Sequence, residues 1–108
     1  LIYRLIFNLT ENAVKYNRPG GSVRVCVTQE TEKLLIRVSD TGCGIPDEYQ
    51  QSIFQPFFRV DKSRSREYGG AGLGLSLVWE IANLHGGSVW VEESSEKGTT
   101  IAVELPVQ

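Results

Sequence analysis

Two glycine-rich stretches decide the fold of this chain, DTGCGI at residues 40–45 and GGAGLGL at residues 69–75. The first places a carboxylate, Asp40, at the end of a predicted strand and beside two glycines. The second places a loop of bare backbone N–H groups directly before a predicted helix. A lone carboxylate suits a hydrogen-bond donor on a base, and a glycine loop at a helix N-terminus suits phosphates. Together the two stretches predict a nucleotide bound between them.

The segments around these stretches follow the order helix, hairpin, helix, hairpin. Apolar residues at helical spacing predict a first helix over residues 1–16 and a second from about residue 73 to the glycines at 86 and 87. Alternating residues predict a half-buried strand over 22–30, and three further strands over 34–40, 88–93 and 99–105. A short helix is predicted over 47–53. This order predicts an α+β fold, a two-layer α/β sandwich whose mixed, mostly antiparallel sheet carries its helices on one face.

Composition narrows the classes of protein to which the chain can belong. Its 108 residues predict a single domain, and 41% hydrophobic residues allow a modest core. A formal net charge of −2 argues against a nucleic-acid interface. The sequence contains no signal peptide and no apolar run of about 18 residues, the length that spans a bilayer. Since the chain begins inside a helical pattern, we expect residues 1–108 to be one domain, truncated at its N-terminal edge, of a longer protein.

The two cysteines, Cys26 and Cys43, do not suggest a disulfide framework. A small secreted domain normally carries more cysteines, so a reducing compartment and free thiols are expected. No histidine or cysteine lies at ligand spacing from either one, which argues against zinc.

A polar stripe on the first helix is the third functional candidate. Asn8, Asn12 and Lys15 lie within about 60° of one another at 100° per residue, and Glu11 borders them. Asn is a poor residue inside a helix, so a pair at i and i+4 suggests a function. An Asn oxygen can bind Mg²⁺, and a Lys can meet a phosphate. The alternative is a solvated helix face.

Each motif also has a purely structural interpretation. The glycine run could be a flexible turn, since it fits neither G-x-G-x-x-G nor a Walker A loop. Asp40 could be a turn residue that ends a strand. His85, the only histidine, precedes Gly86 at the predicted helix end, which favours a capping role over a phospho-acceptor role.

Taken in order, the motifs resemble those of the ATP-binding catalytic domain of sensor histidine kinases. That family shares a superfamily with DNA gyrase B, the heat-shock chaperone ATPases and the mismatch-repair ATPases. The matching segments are similar to the N box (residues 8–16), the first glycine box (40–45), the F box (54–59), the second glycine box (70–75) and the turn before the last strand (98–100).

The resemblance implies a Bergerat-type ATP-binding fold with ATP and Mg²⁺ as cofactors. It implies Asp40 on adenine N6, Asn12 on Mg²⁺, and Asn8 and Lys15 as catalytic residues near the phosphates. It makes residues 60–72 a lid. Arg64 and Arg66 in this lid and Arg59 directly before it are candidate phosphate or partner contacts, and the alternative is that they are only solvated. The nucleotide-contacting residues that it implies are Asn12, Tyr16, Asp40, Gly42, Gly44, Ile45, Phe58, Gly70, Gly72, Leu73, Gly74, Leu75, Thr99 and Thr100.

The resemblance also separates a kinase from a hydrolase. Superfamily hydrolases have a Glu four residues before the Mg²⁺-binding Asn, and here that position is Asn8, which cannot be a general base. Glu11 lies about 60° from it around the helix and is an imperfect substitute. The expected function is therefore to bind Mg-ATP and position its γ-phosphate for transfer, in an ATP-dependent protein histidine kinase. The alternatives are a non-transferring regulatory module that binds nucleotide, and a structural interaction domain.

The partners and location are implied by the resemblance alone. The phospho-acceptor histidine is expected on a separate dimerisation domain of the same kinase, outside this chain. A response regulator is an indirect partner in two-component signal transduction, and the full-length protein is expected to be a homodimer. The domain is expected in the cytoplasm, without inserting into a membrane itself, and the full-length protein is expected to be membrane-anchored.

Overall fold

The computed structural model describes residues 2–55 and 74–107 of the chain. These residues form two helices, α1 (Ile2–Lys15) and α2 (Gly74–Leu84), and four strands, β1 (Val23–Glu30), β2 (Lys33–Asp40), β3 (Ser88–Ser95) and β4 (Gly98–Pro106). Two short 3-10 turns, Asp47–Tyr49 and Ser52–Phe54, lie between β2 and α2. No helix within these residues is long and apolar enough to cross a membrane.

The four strands form one sheet in the order β1-β2-β4-β3. Every pairing among them is antiparallel, so the mixed sheet that the sequence predicts is not seen in the described residues. The α+β class and the helix–hairpin–helix–hairpin order are confirmed. The register pairs Asp40 at the end of β2 with Thr99 at the start of β4. Asp40 therefore lies between the loop that follows β2 and the turn of the β3–β4 hairpin, whereas the β1–β2 turn lies at the opposite end of the sheet.

The helices cover one face of the sheet and pack against each other. Each helix contributes a buried stripe, which meets the inward residues of β2 and β4. The second 3-10 turn closes the side of this core. The buried hydrophobic residues that pack together in this core are Leu5, Leu9, Ala13, Ile36, Val38, Ile53, Phe54, Val78, Ile81, Ala82, Ile101, Val103 and Leu105.

The C-terminal end of α2 is closed by a glycine in the left-handed conformation. Gly86 has φ of +76°, and Gly87 N donates to Ala82 O at 2.8 Å, which is the Schellman arrangement. His85 is exposed, and its Nδ1 lies 2.9 Å from Ile81 O. The ring therefore contacts the last turn of the helix, as the capping interpretation predicts.

Three expectations about local structure are wrong. The segment 47–53 is two 3-10 turns rather than one helix, because its backbone bonds join residues three apart, from Gln50 N to Asp47 O and from Gln55 N to Ser52 O. Strand β1 is almost wholly exposed rather than half-buried, because it lies at the edge of the sheet. Leu84, assigned to the apolar stripe of the second helix, is 75% exposed.

Candidate functional site

The carboxylate of Asp40 is held by two backbone N–H groups from two different loops. Its Oδ1 accepts hydrogen bonds from Gly42 N at 2.9 Å and from Thr99 N at 3.2 Å. Its Oδ2 has no hydrogen-bond donor within residues 2–55 and 74–107. Asp40 thus combines one anchored oxygen with one open acceptor, the arrangement needed to recognise an amine on a ligand.

Glycines let the loops around Asp40 approach one another. Gly44 has φ of +85°, and a Cβ there would collide with the carbonyl oxygen of Ser95. Gly98 has φ of +144°, and a Cβ there would collide with the carbonyl oxygen of Asp40 itself. Both positions therefore require glycine for backbone conformation and for space. Gly44 and Gly98 thus serve the packing of the chain's own loops, a role that their sequence pattern does not indicate.

A second set of bonds joins the first glycine box to the β3–β4 hairpin. Ile45 N donates to Ser94 Oγ at 2.7 Å, and Ser94 Oγ lies 3.0 Å from Thr99 Oγ1. The hydroxyl of Thr99 is thereby fixed beside the strand end that carries Asp40, and Thr99 is only 6% exposed. Ser94 was not predicted as a site residue, because nothing in its local sequence shows its contact with residue 45.

The segment after α1 contacts the same two loops. Arg18 Nη2 donates to Gly42 O at 3.0 Å and to Glu96 O at 2.7 Å. The preceding Asn17 accepts from Thr41 Oγ1 at 2.9 Å through its Oδ1. Neither Arg18 nor Asn17 was predicted to belong to the site, since both lie in a segment read only as a helix stop.

The polar stripe of α1 borders the beginning of α2. Asn8 Oδ1 lies 3.9 Å from the position that a Cβ on Gly74 would take. Asn12 is partly buried on the same stripe, and Lys15 Nζ lies 3.8 Å from Glu11 Oε1. This ion pair is half-exposed and is therefore weak. The stripe and the first turn of α2 together offer amide, ammonium and backbone N–H groups, which suit a phosphate chain.

Two further ion pairs lie away from this site. Lys33 on β2 pairs with Glu104 on the adjacent β4 at 2.9 Å, and Arg37 on β2 pairs at 2.7 Å with Glu92 on β3, across the intervening β4. The hydrogen bond to Glu104 raises the pKa of Lys33, and the hydrogen bond to Glu92 raises the pKa of Arg37. These pairs join strands across the sheet and do not contact the loops around Asp40.

The structure brings most of the predicted site residues into two groups. Asp40, Gly42, Gly44, Ile45 and Thr99 lie together where β2 meets the β3–β4 hairpin. A second group is formed by α1 and the start of α2. Its members are Asn8, Asn12 and Lys15 on α1, Tyr16 directly after it, and Gly74 and Leu75 at the start of α2.

The two groups meet after α1, because a Cβ on Gly42 would lie 2.5 Å from the carbonyl oxygen of Tyr16. Thr100 is not brought to either group. Its hydroxyl lies 2.8 Å from Ser39 Oγ, on the opposite face of the sheet from Thr99. The predicted residues that lie outside the described ranges are Phe58, Arg59, Arg64, Arg66, Gly70, Gly72 and Leu73.

The residues present fit a nucleotide better than a metal held by the protein alone. The described part of the chain contains no cluster of three or more His, Cys, Asp or Glu side chains that could hold a metal ion. An Mg²⁺ ion does not need such a cluster when phosphates supply its other ligands. The Asn12 oxygen on the α1 stripe is a suitable single protein ligand of this kind.

Comparison with known proteins agrees with this geometry. The family described as Histidine kinase-, DNA gyrase B-, and HSP90-like ATPase matches residues 1–108. The chain is 42% identical over 105 residues to the circadian input-output histidine kinase CikA of Synechococcus elongatus, covering 97% of this chain and 14% of CikA.

Two solved structures have the same fold as this chain. The mycobacterial sensor histidine kinase MprB superposes with a TM-score of 0.82 at 34% identity, covering 95% of this chain and 70% of that one. Full-length ShkA in complex with AMPPNP superposes with a TM-score of 0.84 at 28% identity, covering 97% of this chain and 21% of ShkA. The chain spans only 14% of CikA and 28% of another curated relative, so it corresponds to a small part of each.

Proposed function

Because the chain belongs to the histidine kinase-, DNA gyrase B- and HSP90-like ATPase family, we propose that it binds Mg-ATP and positions the γ-phosphate for transfer to a histidine. The observation that carries this proposal is the Asp40 carboxylate, with Oδ1 anchored by Gly42 and Thr99 and Oδ2 without a donor among residues 2–55 and 74–107. An anchored acceptor of this kind selects adenine, whose exocyclic N6 is a donor, over guanine, whose O6 is an acceptor.

The phosphate side of the site lies on α1 and the first turn of α2. Lys15 supplies positive charge, and backbone N–H groups at the start of α2 can donate to phosphate oxygens. Asn8 lies beside Gly74 and can hold a phosphate oxygen through its amide. Asn12 is the proposed ligand of Mg²⁺, which neutralises phosphate charge when bound. The role of these residues is to bind and orient, which is most of what phosphoryl transfer requires.

The site favours transfer over hydrolysis because its described residues, 2–55 and 74–107, include no well-placed general base. Asn8 occupies the position from which a carboxylate could polarise water, and an amide cannot take a proton. The Glu11 carboxylate forms an ion pair with Lys15, whose Nζ lies 3.8 Å from Glu11 Oε1. Water at the γ-phosphate is therefore not activated, and the nucleophile comes from another domain.

The wider setting is part of the same proposal. Residues 1–108 act as a single ATP-binding domain, and the receiving histidine lies on a dimerisation domain of the same homodimeric kinase. The domain works in the cytoplasm and reaches a response regulator only indirectly, through the phosphohistidine. The presence of AMPPNP on ShkA, a structural neighbour, supports the choice of ligand.

Transfer of a labelled γ-phosphate from ATP to the histidine tests this proposal. The chain is mixed with γ-labelled ATP, Mg²⁺ and the histidine-bearing dimerisation domain of the same protein. We expect label on the histidine and slow release of free phosphate. ATP binding without label transfer supports the alternative of a regulatory nucleotide-binding module, and rapid phosphate release without transfer contradicts the proposal.

A further inference from the structure

We infer that Arg18 is a positioning residue that clamps together the two loops holding Asp40 and thereby sets the preference of the site for adenine. This inference rests on the proposed function, because it concerns the same nucleotide site. The two loops are defined here as the glycine loop (residues 41–44) and the hairpin turn (residues 95–99).

The geometry of the clamp follows from four hydrogen bonds. Gly42 in the glycine loop and Thr99 in the hairpin turn donate their N–H groups to Asp40 Oδ1. Arg18 Nη2 donates to a carbonyl in each of the same loops, Gly42 O at 3.0 Å and Glu96 O at 2.7 Å. Both loops that fix the carboxylate are thus themselves fixed by one guanidinium group.

The backbone of Arg18 is held as firmly as its side chain. Asn17 Oδ1 accepts from Arg18 N at 2.9 Å and from Thr41 Oγ1 at 2.9 Å, and Asn17 Nδ2 donates to Ser22 O at 2.8 Å. The segment that carries Arg18 directly follows α1, whose stripe carries the proposed phosphate and Mg²⁺ ligands. Arg18 therefore fixes the base side of the site relative to its phosphate side.

Arg18 is not explained as an ordinary surface ion-pairing residue. No carboxylate in the described part of the chain pairs with it, and its side-chain bonds go to backbone carbonyls. Arg18 is exposed, and exposed bonds of this kind contribute little to global stability. What they do restrict is the distance between the two loops, and hence the position of Oδ2.

Adenine selectivity depends on that position. A fixed carboxylate oxygen attracts the N6 amine of adenine and repels the O6 oxygen of guanine. When the loops separate, Asp40 can turn away, which weakens binding of adenine and relieves the repulsion of guanine. Loss of Arg18 is therefore expected to weaken the preference for adenine without unfolding the chain.

NMR titration of the 108-residue chain tests the inference with Arg18→Ala, Arg18→Lys and the control Arg24→Ala, an exposed arginine on β1 that makes none of these bonds. The ligands are ADP, adenosine and GDP. For Arg18→Ala we expect the dissociation constants for ADP and adenosine to rise alike, by about three- to tenfold, the loss of one or two net hydrogen bonds. The ratio of GDP to ADP dissociation constants falls, and amide exchange at Gly42 and Thr99 quickens.

Further measurements separate the positioning role of Arg18 from a simple charge effect and from a loss of global stability. The melting temperature of Arg18→Ala should stay at the wild-type value, and Arg18→Lys should recover most of the affinity, because an ammonium group also carries several donors. Weakened binding of ADP alone, with adenosine unaffected and the effect removed by salt, would show a simple charge effect and overturn the inference. So would unchanged affinity and exchange in Arg18→Ala, or a fall in affinity that only follows a fall in melting temperature. Absence of ADP binding by the wild-type chain overturns the proposed function itself and the inference with it.

Discussion

Asp40 and Arg18 bind the two backbone polar groups of the same residue, Gly42. Gly42 donates its N–H to Asp40 Oδ1 at 2.9 Å, and its carbonyl accepts from Arg18 Nη2 at 3.0 Å. A carboxylate at the end of β2 and a guanidinium after α1 are thereby coupled through one glycine. The base side of the proposed nucleotide site is thus built from three segments that are distant in sequence, and each can be perturbed separately.

A side chain at Gly44 would collide with Ser95, so Gly44→Ala should lower the free energy of unfolding by more than backbone strain alone does. Gly20 is the matched control, because it has φ of +78° against +85° for Gly44 but has open space around it. We expect Gly20→Ala to lower the free energy of unfolding by about 1 kcal/mol, from left-handed strain alone. Gly44→Ala should lower it by about 3 kcal/mol, because loop displacement adds to that strain. Urea denaturation of the two variants checks this, and equal losses would contradict the described packing of the glycine loop.

Asn12 should account for the Mg²⁺ dependence of ATP binding. Asn12→Ala is expected to bind ATP equally well with and without Mg²⁺, while the wild-type chain binds more tightly with the ion. Alanine is a better helix former than asparagine, so the change does not destabilise α1.

Asn83→Ala is the control for this change, because it removes an exposed amide from α2 that only bonds Trp79 O at 2.9 Å. Calorimetry of the three chains in Mg²⁺ and in EDTA provides the comparison. A full Mg²⁺ effect retained in Asn12→Ala would show that the ion is held elsewhere.

Glu11 should not act as a base. The wild-type chain is expected to release phosphate slowly, and Glu11→Gln should release it at the same rate. Glu11 is paired with Lys15 and lies about 60° around the helix from Asn8, so its carboxylate is not placed to activate water. Glu80→Gln, on the exposed surface of α2, controls for loss of one carboxylate. A phosphate-release assay compares the three. Brisk hydrolysis that disappears only in Glu11→Gln would mean that the domain is a hydrolase.

The parts of the fold that the sequence predicted are those set by local pattern. The apolar stripes of both helices, the two hairpins and the position of Asp40 at a strand end all follow from spacing and turn residues. The exposure of β1 does not, because alternation in Val23, Val25 and Val27 is the same in an edge strand and a central one. Burial there depends on what the helices cover, which local pattern cannot show.

The residues of the candidate site also divide into those that local sequence predicts and those that it does not. Asp40, Asn8 and Asn12 stand out by residue type and spacing, whereas Arg18 and Ser94 do not. Arg18 bonds a residue 78 positions away in the chain, and Ser94 bonds one 49 positions away. Contacts of this range depend on how the two hairpins come together in the sheet. The sequence therefore predicted the groups that face a ligand and missed those that hold them in place.

Calorimetric titration of ATP, with and without Mg²⁺, into the wild-type chain and Asp40→Asn is the most direct test of a nucleotide site at Asp40. The asparagine can keep its Oδ1 on Gly42 and Thr99 while presenting an amide donor in place of the open Oδ2, so the loops stay and the acceptor is lost. Asp47→Asn, an exposed carboxylate in the first 3-10 turn, is the matched control. We expect Mg²⁺-dependent binding by the wild-type and control chains, and binding weaker by about 10- to 100-fold in Asp40→Asn. Equal binding by all three folded chains, or binding by none of them, would contradict the site.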